Sequence, residues 1–461
     1  MTRVPLLAFV CAATSCSLMG LDDLDLQDCD QDLDCYALAP MSSHGLRTCY
    51  RCEAGRCEER GVSRARSVDA LARLSWVSTS SVPQQRTLLA LGPDDPVLPT
   101  RGLVLGASAS GELSSIAYLD GESPQLRALA LGAFDATHLI GLTLDTETCA
   151  NGRIRLGTAE AAAPFALRPG GARTLFTTGV DLEPGTQCTR GGARSPALAI
   201  LAPAEALAIW TAANQTDEPA VAAECTAARS ATIHALRLGL HADADGASFA
   251  PLESPRPSVL AEGARAEVAP QLAALGDGYV FAYADGSGIQ LRAIAAFGGT
   301  PSPAAAFALD DTDVTRIALS PGGSDGGAQR LLVVWTTGCG AHVALRGAVV
   351  AVGTASLALA AGPFAIAHNE SIVSGPAVSF APGGFDARRG SGGWTIVWSD
   401  GSRVFASRVS QRAAQLGPPD LLHSGDARLV FMSSPRSGPF AFGFVQESNA
   451  HSDEVVLMGC E

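Results

Sequence analysis

Among the residues of this chain that could do chemistry, the cysteines have the clearest order. Cys16 follows the small residues Ala13, Thr14 and Ser15, and Cys29, Cys35, Cys49, Cys52 and Cys57 come next within an acidic stretch. Cys149, Cys188, Cys225, Cys339 and Cys460 are spread over the remainder, and Cys11 lies in an apolar leader. Thiols so placed offer lipid attachment at Cys16 and disulfide formation among the other ten; Cys49 and Cys52 also have the spacing of a zinc-ligand pair. A second well-spaced pair is lacking, and a redox CxxC would need a βαβ setting that is absent.

Carboxylates form the second chemical group. Asp28, Asp30, Asp32 and Asp34 alternate as in calcium loops, without the central glycine or distal bidentate glutamate of an EF-hand. Their default reading is a solvated spacer extended by like charge, with calcium as the alternative. Asp145 with Glu147, Asp181 with Glu183, and Asp310 and Asp311 with Asp313 stand in presumed loops, where glycosidases place their acids. Solvated turns explain them equally.

Gly322-Gly323-Ser324-Asp325-Gly326 spells the GxSxG nucleophile pattern but sits in a Gly-rich loop before a strand. All 32 basic residues are arginine, so Schiff-base and pyridoxal-phosphate chemistry, the Walker A lysine and the kinase strand lysine are excluded. There is no HExxH among the eight histidines and no Gly-rich dinucleotide fingerprint. No catalytic or cofactor-binding residue is assigned.

The leader sets the compartment. Arg3, the uncharged run Val4 to Ser15 and a small-residue end define an export signal over residues 1–15. The segment Ala12-Ala13-Thr14-Ser15-Cys16 resembles the bacterial lipobox, although Ala13 stands where leucine is usual. That resemblance implies a lipidated Cys16 and an anchor in the cell envelope, most simply the outer membrane; plain cleavage after Ser15 would release a soluble secreted or periplasmic protein. With Cys11 discarded and Cys16 lipidated, ten cysteines remain, the even number expected of a disulfide framework.

Net charge of −14 argues against nucleic acid or anionic lipid as a partner of the whole surface. Residues 347–367 include no charged residue and could span a bilayer by length, but Gly347, Gly353, Gly362 and Pro363 punctuate them into strand-sized runs. With 49 glycines and 27 prolines in 461 residues, the composition is that of a turn-dense β protein.

From about Val68 a pattern recurs: an apolar strand with an aromatic near its end, a small polar turn, then a strand carrying arginine. The pairs are Tyr118 and Arg127, Trp210 and Arg237, Tyr283 and Arg292, Trp335 and Arg346, and Trp398 and Arg408. Leu144 with Arg155 is a weaker copy, and Phe444 keeps the aromatic alone. Strands opening at Pro196, Pro270 and Pro376 precede three copies, and successive arginines from Arg237 to Arg408 lie 55, 54 and 62 apart. A unit of that size with about four strands is a propeller blade. The expected fold is therefore all-β: a β-propeller of about seven blades, with six next, preceded by a small disulfide-rich head. A β-sandwich is the alternative. The strands around Leu88 to Leu91 are expected to complete the final blade, the aromatics to be core, and the arginines to bind carbonyls or acids of the adjacent blade rather than ring the channel as an anion site.

The expected divisions are 1–15, signal peptide; 16–67, lipidated acidic Cys-rich head and linker; and 68–461, repeat domain. The head resembles small Cys-rich modules of exported proteins from GC-rich Gram-negative bacteria, and the overall layout resembles repeat-containing lipoproteins of the same bacteria. The resemblance implies a membrane-anchored interaction or scaffold module with a protein or polysaccharide partner. A carbohydrate-active hydrolase or lyase at the channel mouth, and a calcium-dependent adhesin, are the competing expectations.

Overall fold

In the computed structural model of the chain, the described residues are β-strands between Tyr50 and Cys460 with their adjoining turns. Residues 1–49 and connecting stretches such as 93–101, 161–177, 182–192 and 214–229 lie outside the description. Consecutive strands pair antiparallel, giving one separate hairpin and seven sheets of four or five strands among the described residues. Sheet 1 covers 76–119, sheet 2 126–181, sheet 3 193–265, sheet 4 271–310, sheet 5 314–370 and sheet 6 374–424. Sheet 7 takes three strands from 428–460 and its outermost, Val62–Ala70, from near the start of the chain.

Within each sheet the first strand is innermost. These inner strands touch in cyclic order, and Arg428–Ser433 of sheet 7 meets Trp76–Val82 of sheet 1. Sheets arranged radially in this way make a β-propeller, in which neighbouring blades hide most sheet faces and edges. Five blades, sheets 3 to 7, have interiors whose side chains are described along most of their length; sheets 1 and 2 are described chiefly as backbone.

The second strands show why the sequence folds this way. Gly278–Ala284 in sheet 4 is a continuous apolar run because both of its faces are buried. Tyr279, Phe281 and Tyr283 face sheet 3, where they meet Leu207, Ile209 and Ile233. The intervening Val280, Ala282 and Ala284 face sheet 5 and meet Leu331, Val333 and Trp335. This alternation is the two-residue period of a strand.

The same rule recurs around the ring. Trp210 packs with Ile140, Leu142 and Leu156 of sheet 2, Trp398 with Val334 and Val349 of sheet 5, and Phe444 with Val397 and Val404 of sheet 6. The recurring aromatic is thus the wedge that each blade drives into the one before it, and it is core as expected.

The repeat is positioned more finely than its letters showed. Trp210 and Arg237, Tyr283 and Arg292, Trp335 and Arg346, and Trp398 and Arg408 fall on the second and third strands of sheets 3, 4, 5 and 6; Leu144 and Arg155 do so in sheet 2. Tyr118 and Arg127 do not form a copy: Tyr118 is on the outer strand of sheet 1 and Arg127 on the inner strand of sheet 2. That misplacement produced the short spacing from Arg127 to Arg155. Pro196 and Pro376 lie on inner strands, and Pro270 immediately precedes one.

Leu88 to Leu91 belong to the second strand of sheet 1, so they do not complete the last blade. Val62–Ala70 does, pairing with Ser452–Cys460 from Val62 opposite Cys460 to Ala70 opposite Asp453. The ring therefore takes in residues on both sides of the expected boundary at 67/68. Residues 347–367 form parts of two paired strands, Val343–Gly353 and Ser356–Glu370. Among the described residues no helix is long and apolar enough to cross a membrane.

Candidate functional site

Because every inner strand runs in the same sense and its neighbours alternate, two kinds of connection gather at one face of the ring. These are the hairpins between second and third strands and the links that enter the next inner strand. Sequence reasoning places most of the body's chemistry on this face.

Asp285 and Asp400 organise two of the hairpins in the same way. Asp285 Oδ1 accepts from the Ser287 N–H at 2.8 Å, the Ser287 hydroxyl at 2.7 Å and the Gly288 N–H at 3.1 Å. Asp400 Oδ1 accepts from the Ser402 N–H and hydroxyl, both at 2.9 Å, and from the Arg403 N–H at 2.7 Å. Each carboxylate substitutes for backbone acceptors in a tight turn, the use that favours Asp at such positions. Burial alone would raise the Asp400 carboxyl, but donation from Ser402 and Arg403 outweighs it and holds the group below its ordinary value.

Asp311 and Asp313 lie in the link between sheets 4 and 5, directly after Asp310 at the end of the outer strand of sheet 4. Asp311 Oδ2 accepts from Trp335 Nε1 at 2.7 Å and from Arg346 at 3.1 Å. One carboxylate therefore ties the aromatic and the arginine of a single repeat to the incoming link. Sequence reading missed this contact, although the conserved order of aromatic, turn and arginine within the repeat was its signal.

The other arginines also join neighbouring parts of the ring. Arg316 donates to the carbonyls of Val373 at 2.6 Å and Gly375 at 3.2 Å, linking sheet 5 to the start of sheet 6. Arg237 donates to the Ala295 carbonyl of sheet 4 at 2.6 Å, and its Nε lies 3.5 Å from Glu205. Arg292 reaches back to the Leu260 carbonyl of sheet 3 at 3.5 Å and lies over the Tyr283 ring. Arg428 pairs with Asp453 and stands 3.8 Å from Asp426. The repeat arginines sit on third strands, two strands out from the axis, so they do not ring the channel.

The GxSxG letters prove to be architecture. Gly322, Gly323 and Ser324 lie near the end of the inner strand Val314–Asp325, which turns into a second strand, not a helix. Trp394 of sheet 6 donates its indole N–H to the Ser320 carbonyl at 3.1 Å. A Cβ on Gly322 would collide with the Trp394 ring, and one on Gly323 with the Gln411 amide. Glycine is required there for close approach of the next blade.

Among the described residues no group of three or more His, Cys, Asp or Glu side chains could hold a metal ion. Cys16, Cys29, Cys35, Cys49, Cys149, Cys188, Cys225 and Cys339 lie outside the described residues, as do Asp28, Asp30, Asp32 and Asp34. Cys52, Cys57 and Cys460 are on described strands.

The fold and this face define a β-propeller whose blades are tied together by aromatic wedges and arginine links. No family model and no curated protein matches the chain. Solved structures similar to it include the β-propeller domain of Nup133 from Vanderwaltozyma polyspora, at 9% identity and TM-score 0.43, covering 88% of this chain and 99% of that one. A sialidase from Trypanosoma rangeli aligns at 8% identity and TM-score 0.41 over 82% of this chain; the chain spans 59% of that protein's length. An α-L-arabinofuranosidase from Fusarium graminearum aligns at 10% identity and TM-score 0.39, over 72% of this chain and 93% of that one. These likenesses carry no chemistry over to this chain.

Proposed function

We propose that the chain is a lipid-anchored interaction module of the bacterial cell envelope: a seven-bladed ring held at the outer membrane through Cys16, presenting a sheet edge to an extended segment of a protein partner. The observation that carries this reading is the outermost strand of sheet 5, Ser356–Glu370. At 15 residues it is the longest strand described, and it pairs on one side only among the described residues. Ala358, Leu359, Ala360 and Pro363 are exposed, Leu359 by 41%, and no charged residue occurs from Ser356 to Ala367. The outer strands of sheets 4 and 7 carry Asp310, and Arg64, Arg66 and Asp69, respectively, while the uncharged outer strands of sheets 1 and 3, Leu113–Leu119 and Gly246–Pro251, are only 7 and 6 residues long.

Charges on an edge strand oppose the addition of another strand, and their absence leaves a row of backbone donors and acceptors open to one. On the alternative candidate, the link face, Asp285, Asp311, Asp400, Arg316 and Arg346 are each engaged by groups of their own ring, which supports a binding reading.

A photo-reactive residue at position 359 tests this in intact cells. It should yield one discrete protein adduct, suppressed by Ala358→Lys with Ala360→Lys and absent when the probe is at the exposed Leu421 of sheet 6. An adduct that survives the lysines, or forms equally from position 421, contradicts the reading. In the same cells Cys16→Ala should move the protein from the membrane to the soluble fraction; unchanged retention contradicts the anchor.

A further inference from the structure

We propose that Cys52 and Cys57 are joined by a disulfide that staples the hairpin standing directly ahead of the ring-closing strand. The strands Tyr50–Glu53 and Arg56–Glu59 pair antiparallel without a shift, Glu53 opposite Arg56 and Cys52 opposite Cys57. A two-residue turn joins them, and Gly55 supplies the positive φ, +79°, that such a turn requires.

In a hairpin of this kind the pair flanking the turn exchanges its backbone hydrogen bonds and the next pair does not. Cys52 and Cys57 are that next pair. Non-hydrogen-bonded partners have Cα atoms about 4.5 Å apart, within the range of roughly 4.4–6.8 Å that a disulfide spans. The register thus sets the two residues at a backbone separation that a bridge can span without moving the strands.

The bond forms by exchange. The Cys52 or Cys57 thiolate attacks a disulfide donor of the exported compartment, and the second thiolate displaces the donor's remaining sulfur. The hairpin loses two protons and two electrons, and the donor leaves as two thiols. Bridging also removes Cys52 from any zinc pair with Cys49.

A further consequence follows from counting. With the leader carrying Cys11 removed and Cys16 lipidated, as proposed above, and with Cys52 paired to Cys57, Cys29, Cys35 and Cys49 remain ahead of the ring, an odd number. If all are oxidised, at least one joins a cysteine of the body. Cys460 stands opposite Val62, at the end of the ring-closing pair and five residues beyond Cys57 in that strand's own chain. A bridge to Cys460 would make the closure of the ring covalent.

The arginines make the test direct, because trypsin cleaves after Arg51, Arg56 and Arg60 and so separates the two cysteines. The full-length protein is purified from the envelope without reductant, its free thiols are alkylated, and it is digested unreduced. The expected product is peptide 52–56 linked to peptide 57–60, lighter than their sum by two hydrogens and lost on reduction. Either peptide found alkylated, or linked to a different cysteine peptide, overturns the proposal. Cys57→Ser should leave Cys52 alkylated; if Cys52 stays blocked in that variant, its partner is elsewhere and the proposal is likewise overturned.

Discussion

Neutralising one member of the Glu205–Arg237 pair should destabilise the ring more than neutralising both. The two side chains are 1% and 3% exposed, their closest N–O separation is 3.5 Å, and Arg237 also donates to the Ala295 carbonyl across the blade interface. Glu205→Leu leaves a guanidinium in an apolar interface without its counter-charge, a defect that costs about 3–5 kcal/mol. Arg237→Met leaves the carboxylate instead and also removes the Ala295 bond. In the double variant no charge is stranded, and the lost bond to the Ala295 carbonyl costs about 1–2 kcal/mol. Residues 62–460 make up the ring. At about 2.1 cal/mol/K per residue, some 400 residues give an unfolding entropy of ~0.8 kcal/mol/K, so 3–5 kcal/mol lowers Tm by about 4–6 °C. Calorimetry on the four proteins of the cycle reads this directly. Each single variant should melt about 4–6 °C early and the double variant within about 2 °C of the parent. Singles that melt with the parent, or a double variant that loses the sum of both, would refute the argument that the pair is a coupled, buried link between blades.

Two further outcomes follow. Gly322→Val should destabilise by about 1–3 kcal/mol, because its side chain must displace the Trp394 indole; Trp394→Ala in the same protein should remove that extra cost, and a neutral Gly322→Val would show the contact is not close. Tyr279 is 1% exposed, and burial, with Glu205 nearby, raises its hydroxyl pKa far above the ordinary 10.0. A raised acid favours folding while it stays neutral, so its contribution is fully present below pH 10 and is lost as pH rises beyond it, by about 1.4 kcal/mol per pH unit. Denaturant titrations should therefore show a fall in stability above pH 10 that is shallower in Tyr279→Phe; identical slopes would place the cause elsewhere.

Much of the fold was legible because blade geometry writes itself into spacing. The second strand of a blade is buried on both faces, so it reads as an apolar run closed by a large aromatic, and the tight hairpin after it needs Asp, Gly and Ser. Arginine on the third strand completes the pattern because it must reach a neighbouring blade's carbonyl or acid. What stayed hidden involved partners far apart in the chain. Nothing near Val62 announces that it will pair with Cys460, since an outer strand needs only one partner and little apolar signal. The Gly322 letters imitate a nucleophile turn because close approach by Trp394 and a sharp strand-to-helix turn both demand glycine. The engagement of Asp311 by Trp335 and Arg346 required three dimensions, since the link and the two strands converge only when adjacent blades pack.

The most direct measurement is amide hydrogen exchange in Ser356–Glu370, compared between protein on envelope membranes and protein purified away from them. Addition of a partner strand must protect outward-facing amides of residues 356–361, because main-chain hydrogen bonds are what such a contact consists of. The account predicts slow exchange there on the membrane and fast exchange after purification, with the outer strand of sheet 6 unchanged. Equal, fast exchange of residues 356–361 in both states would contradict it.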